Sequence, residues 1–315
     1  MITLDRVGKT YPDGTTAVAD LSLHFTAGEV GVLVGPSGCG KTTTMRMINR
    51  LVEPTHGQVY VDGRDVSQVN AVDLRRSIGY VIQQVGLLPH QTIRRNVGTV
   101  PTLSGWDSRR VRQRVDELLD MVGLPPDTYG DRYPDQLSGG QRQRVGVARA
   151  LAADPPILLM DEPFGAVDPV ERGRLQSEML SLLAREEKTV VLVTHDVDEA
   201  VRLGDRIAVM RQGGVLEQFA TPVEILGDPK TPFVADFVGT DRTIKLLGVT
   251  TIGELALEPV AADDRGISEV SPDATLKDVL AQILRSESGR VRVGDQGIAT
   301  MESVRHSLRQ FASVS

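Results

Sequence analysis

Three short, unbroken apolar runs punctuate the chain: Val30 to Val34, Ile157 to Met160 and Val190 to Val193. Strands covered on both faces lose the alternation of half-exposed ones, so runs of this length predict a buried parallel sheet. Each leads into a turn and a helix-like stretch, and residues 1–240 read as an α/β domain. Ile2 to Val7, Thr16 to Phe25 and Gln58 to Val61 alternate more and are separated by Gly, Pro and Asp, which predicts an antiparallel β layer. From about Leu87 to Leu137 the period becomes helical. Val111, Val115, Leu118, Leu119 and Val122 form a one-sided stripe, with Asp107 or Ser108 placed to cap its start and Gly123 its end, as in a helical insert. Thr221-Pro222 and Thr231-Pro232 each set a capping hydroxyl before a proline at the first helical position, and the second helix should stop at Gly239.

Residues 241–315 have a different texture. Leu276, Val279, Leu280, Ile283 and Leu284 make one helix face; Arg290 to Val293 and Ile298 to Thr300 flank the turn from Gly294 to Gly297; a second helix should cover Glu302 to Gln310. The pattern predicts a small α+β unit of αββα order, and a boundary near residue 240.

Composition narrows the partners. With 35 basic against 42 acidic residues, a net charge of −7, and only one Trp, five Tyr and six Phe, the chain lacks the basic patches and stacking platforms of a nucleic-acid binder. A single cysteine, Cys39, cannot form an intramolecular disulfide, which favours a cytosolic location. The start lacks a charged segment followed by an apolar one, so no signal peptide is expected. No apolar run approaches the roughly 18 residues of a membrane helix, so any membrane contact should come through a partner.

Gly35, Pro36, Ser37, Gly38, Cys39, Gly40, Lys41, Thr42 and Thr43 fit the phosphate-loop pattern G-x-x-x-x-G-K-[ST] between an apolar strand and a helix. Glycines let successive N–H groups converge on phosphate oxygens, the helix N-terminus adds partial positive charge, Lys41 reaches the β and γ phosphates, and Thr42 offers Mg²⁺ a hydroxyl. Cys39 inside the loop reads as space-filling, its N–H helping the cradle, rather than as a redox-sensitive thiol. The loop alone leaves kinases, GTPases and motors open, but no Asn-Lys-x-Asp guanine reader is present.

A second motif decides among them. Leu137, Ser138, Gly139, Gly140 and Gln141, followed by Arg142, Arg144 and the run Ala148 to Leu151, place a hydroxyl and two glycines before a helix, another anion-binding terminus. This stretch resembles the signature motif of ATP-binding cassette (ABC) ATPases, and the resemblance covers residues 1 to about 240. It implies a P-loop ABC ATPase that binds ATP and Mg²⁺ and sandwiches two ATP molecules in a head-to-tail homodimer, each motif facing the phosphate loop of the other copy.

The resemblance assigns roles to further residues. Asp161, ending the strand Ile157 to Met160, would act on the Mg²⁺ shell with Thr42, and Glu162 would polarise the attacking water. His195 resembles the switch histidine that contacts the γ-phosphate. Gln83 matches the glutamine that reaches Mg²⁺ and reports to the membrane subunit, although Gln84 stands beside it. Tyr11 matches the aromatic that stacks on adenine, and Asp168 matches the acid of the segment after Glu162, where Gly165 replaces the usual serine.

Residues 78–93 and 133–150, with Gln84, Gly146 and Phe164-Gly165, look most like subunits that energise uptake of quaternary amines, namely glycine betaine, choline, carnitine or proline betaine. The expected partners are then an integral-membrane permease and, indirectly, a substrate-binding protein, at the cytoplasmic face of the membrane. An importer of another solute, an exporter and a soluble ABC protein are the alternatives. Residues 267–308 resemble a cystathionine-β-synthase-type (CBS) repeat, regulatory or structural; residues 242–260 could be the remains of a first one.

Overall fold

The computed structural model describes residues 1–83, 85–165, 167, 169–186, 188–252, 257–260 and 267–312. The chain packs into two compact units, Met1–Asp196 with Leu203–Leu216, and Val197–Arg202 with Glu217–Ser315.

In the first unit the strand Val30–Val34 is central to a parallel sheet, paired with Thr189–Thr194 on one side and Arg206–Arg211 on the other. Beyond Thr189–Thr194 lie Ile157–Asp161 and then Ile78–Val81, also parallel. The strands Ile157–Asp161 and Thr189–Thr194 are buried at every position, which is why their sequences do not alternate. Each fully buried Val, Leu or Ile stabilises the core by roughly 1.5–3 kcal/mol. The predicted antiparallel layer is also present, with Thr16–Phe25, Ile2–Thr10, His56–Val61 and Arg64–Asp65 side by side in that order.

The helical insert contains the helix Ser108–Met121, capped by Asp107, whose carboxylate accepts from the N–H groups of Arg109 and Arg110 at 3.0 Å. Val115, Leu118 and Leu119 are buried, and Gly123 turns the chain out at a φ of 68°. Ser138 caps the next long helix, Gly139–Leu151.

In the second unit Thr221 and Thr231 cap the helices Pro222–Gly227 and Pro232–Val238, the latter ending at Gly239 with a φ of 88°. The tail has its own core: Ile252, Val279, Ile283, Val291, Val293, Ala299 and Val304 pack together between the helices Leu276–Arg285 and Met301–Ala312 and the strands Arg290–Val293 and Gly297–Thr300. A short strand, Glu269–Val270, pairs parallel to Arg290–Val293 and completes the sheet. The described part of 242–260 does not pack as a separate repeat. It forms the helix Arg242–Val249, and Ile252, Leu257 and Glu258 then join the same tail core and sheet edge. Among the described residues no helix is long and apolar enough to cross a membrane.

Candidate active site

Parallel register brings four separated motifs to one edge of the sheet. Val34 lies opposite Thr194, Asp161 opposite Val193, and Val81 opposite Met160, so the chain leaves all four strands at their carboxyl ends. Ligands bind in α/β sheets at such ends. Here the phosphate loop, Gln83, the pair Asp161 and Glu162, and His195 all follow directly.

The phosphate loop is shaped by close approach. A Cβ on Gly35 would stand 2.1 Å from the carbonyl oxygen of Met210, and one on Gly40, at a φ of 99°, would stand 2.4 Å from that of Ala17. Lys41 begins the helix Lys41–Ile48; its buried ammonium donates to the carbonyls of Gly35 at 2.7 Å and Pro36 at 3.0 Å. Gln212 braces the loop from outside, its Nε2 donating to the Ser37 carbonyl at 3.1 Å. Gly213 accepts from the Ala19 N–H at 2.8 Å and so ties the antiparallel layer to the same turn. Tyr11 lies at the mouth of the hairpin joining the first two strands of that layer, with Lys9 Nζ 5.4 Å from its ring centroid.

Cys39 fills space, as expected: it is fully buried, and burial pushes its thiol pKa up although Lys41 opposes this. A thiol kept protonated is a poor nucleophile and a poor redox sensor. Its N–H differs from expectation, donating to the Pro36 carbonyl at 3.3 Å within the loop.

Thr42 Oγ1 donates to Asp161 Oδ1 at 3.0 Å. Asp161 is 4% exposed, and burial raises its carboxyl pKa, the nearby Glu162 adding to this while the Thr42 hydrogen bond and Arg46 oppose it. A buried carboxylate beside a hydroxyl and within the field of Lys41 suits a magnesium nucleotide. Mg²⁺ takes hard oxygen ligands, usually one or two from protein with the rest from phosphate and water. Among the described residues no group of three or more His, Cys, Asp or Glu forms a cage for a metal by itself.

Glu162 is the hub of the site. Its backbone takes a left-handed φ of 46°, with its N–H on the Val193 carbonyl at 2.9 Å, which turns the side chain away from the strand. Its Oε2 accepts from Gln83 Nε2 at 2.8 Å, and its Oε1 lies 3.2 Å from His195 Nδ1. Residues 83, 162 and 195 are thereby joined through one carboxylate. A left-handed conformation in a non-glycine residue carries about 1–3 kcal/mol of strain, and such strain clusters at functional positions.

The second anion-binding terminus stands apart. Ser138 and Gln141 form a reciprocal cap, Oγ accepting from the Gln141 N–H at 3.2 Å and Gln141 Oε1 from the Ser138 N–H at 2.9 Å. Gln141 Nε2 reaches Tyr129 at 3.3 Å. Ser138, Gly139, Gly140 and Gln141 make no hydrogen bond to the phosphate-loop cluster among the described residues. Gln84 and Asp168 lie outside the described residues. Spacing alone did not flag Gln212; a polar residue directly before the Gly213-Gly214 pair was the available signal.

The sequence profile of the ABC transporter family matches residues 18–165. The osmoprotectant import ATP-binding protein OsmV of Salmonella typhimurium is 54% identical over 239 residues, 76% of this chain and 62% of that protein. The choline transport ATP-binding protein OpuBA of Bacillus subtilis is 51% identical over 245 residues, 78% of this chain and 64% of that protein. The chain thus matches less than two thirds of the length of these two relatives. The glycine betaine uptake system ATP-binding protein YehX of Escherichia coli is 44% identical over 282 residues, 89% of this chain and 90% of that protein. Among solved structures, the dimeric form of MJ0796, a bacterial ABC transporter cassette, is 37% identical, with a TM-score of 0.64 over 70% of this chain and 99% of that one.

Proposed function

The chain belongs to the ABC transporter ATP-binding family, and from that premise we propose that it is the ATP-hydrolysing subunit of an importer for a quaternary-amine osmoprotectant such as glycine betaine, choline, carnitine or proline betaine. The observation that carries the catalytic part is the convergence of Gln83 and His195 on the Glu162 carboxylate, next to the Thr42–Asp161 hydrogen bond. The substrate class rests on the similarity to OsmV, OpuBA and YehX.

Residues 1–240 act as the ATPase domain and 241–315 as a CBS-like regulatory or structural tail. Tyr11 stacks on the adenine; the N–H groups of the Gly35–Thr43 loop and the Lys41 ammonium hold the phosphates. Thr42 and Asp161 would hold Mg²⁺, together with the Gln83 amide oxygen, the atom not engaged with Glu162. A metal ion held there would supply charge neutralisation for the bound phosphates. Glu162 accepts the proton of the attacking water as general base, and His195 holds that carboxylate and the γ-phosphate in register.

Among the described residues Ser138, Gly139, Gly140 and Gln141 make no hydrogen bond to the loop cluster of their own copy, which leaves them for the site of a second copy in a head-to-tail dimer. Two dimeric structures of the cassette MJ0796, one of them bound to ADP and Pi, are among the similar structures. The dimer works on the cytoplasmic face of the membrane, docked on a separate permease that receives solute from a binding protein.

The test uses Glu162→Gln. That protein should bind ATP and dimerise on it while hydrolysis falls by roughly a hundredfold or more, the range for loss of a general base. Brisk turnover would overturn the role of Glu162. Reconstituted with its permease, wild-type turnover should rise with betaine, choline, carnitine or proline betaine; stimulation only by a sugar or sulfate would overturn the substrate class.

A further inference from the structure

The segment after Gln83 is fastened to the helix Gly139–Leu151 by contacts that the site chemistry does not use. Arg149, in the last turn of that helix, donates through Nη1 to the Gly86 carbonyl at 2.7 Å and through Nη2 to the Val85 carbonyl. The planar guanidinium presents two donors in fixed geometry, which an ammonium cannot reproduce on two successive carbonyls. Three residues earlier Gly146 is packed so closely that a Cβ there would stand 2.5 Å from Val85 Cγ1.

The segment so held is strained. Val85 is β-branched yet sits at a φ of 42°, and Gly86 follows at 54°. A β-branched residue occupies the left-handed region only where its surroundings impose it. The Val85 N–H closes a turn onto the Ile82 carbonyl at 3.0 Å, and Gln83 lies inside that turn. Arg149 makes no ion pair among the described residues, and burial pushes its pKa down. A half-buried cation with only carbonyl partners is a poor choice for stability, since apolar packing would avoid its desolvation. It suits a part that fixes the shape of a turn.

Resting on the ATPase reading above, we infer that Arg149 is a positioning residue for Gln83: by pinning the carbonyls of Val85 and Gly86 to the Ser138-capped helix, it sets where the Gln83 amide meets Glu162. The connection runs from the helix that starts at Ser138, through Arg149 and the carbonyls of Val85 and Gly86, to the 2.8 Å contact between Gln83 Nε2 and Glu162 Oε2.

The test is a double-mutant cycle on the full chain. Arg149→Met should lower kcat by roughly ten- to a hundredfold, the effect of displacing a catalytic group by about an ångström, with KM for ATP within about twofold. In a Gln83→Ala background the same change should have almost no further effect, because both act on one contact. Hydrogen exchange of the nucleotide-free protein supplies a readout independent of turnover: the Val85 amide should lose protection by about tenfold in Arg149→Met. Gly146→Ala leaves the charge in place but pushes on Val85, and should reproduce the kcat loss, the non-additivity and the faster exchange; it decides the matter if Arg149→Met fails to fold. Additive effects of the two sites, or a Val85 amide exchanging as in the wild type, would overturn the inference. If the wild-type chain turns over no ATP, the ATPase reading fails, and exchange at Val85 alone decides whether Arg149 holds the turn.

Discussion

Asp161 gives up its negative charge more readily in the fold than it would in water. Burial raises its carboxyl pKa above the ordinary value, so the folded chain binds that proton more tightly than the unfolded one. The sign follows: above the raised value the ionised group costs the native state stability, and below the ordinary carboxylate range the cost disappears. Asp161→Asn, which keeps an oxygen for the Thr42 hydroxyl, should therefore raise the melting temperature of the nucleotide- and magnesium-free protein by a few degrees at pH 8. The gain should shrink as the pH falls toward about 4, the ordinary carboxylate range. Thermal melts across that range check it, and a lower melting temperature at pH 8 would contradict the assignment. At this scale the phosphate loop was legible because its chemistry is local, nine consecutive residues with glycines where backbone must pass backbone. The meeting of Gln83, Glu162 and His195 was not, since it depends on which strands are neighbours and on the left-handed turn at Glu162.

Helices declared themselves by their ends. Asp107, Thr221 and Thr231 all accept the N–H bonds that their side chains suit, because a cap is a contract between residues two or three apart and needs no tertiary context. Asp107→Ala should destabilise the helix Ser108–Met121 by about 1 kcal/mol, a shift of roughly 2–4 °C in melting temperature for a domain of this size. Scanning calorimetry would measure it. The helix Arg242–Val249 escaped notice for the complementary reason. Asp241 precedes it without a side-chain cap bond, and only Leu246 is buried, so neither end nor face carries a clear pattern. The buried strands, in contrast, showed themselves through missing alternation, which is a statement about burial on two faces rather than about propensity.

At the scale of the whole chain the question is whether the two parts fold and respond separately. The tail core of Ile252, Val279, Ile283, Val291, Val293, Ala299 and Val304 closes on itself, and no nucleotide-site residue belongs to it. Ile283 is 4% exposed, and truncation to Ala removes most of a buried side chain, a loss of about 2–5 kcal/mol for such a site. A core of this size does not withstand that loss, so Ile283→Ala should melt the tail while the ATPase part stays folded. Calorimetry with and without magnesium and ATP distinguishes the parts, because a ligand raises only the transition of the unit that binds it. The variant should lose or lower one transition and keep the nucleotide-shifted one. A single transition that falls as a whole in Ile283→Ala would instead make the tail an integral part of the ATPase, and the proposed boundary near residue 240 would fall.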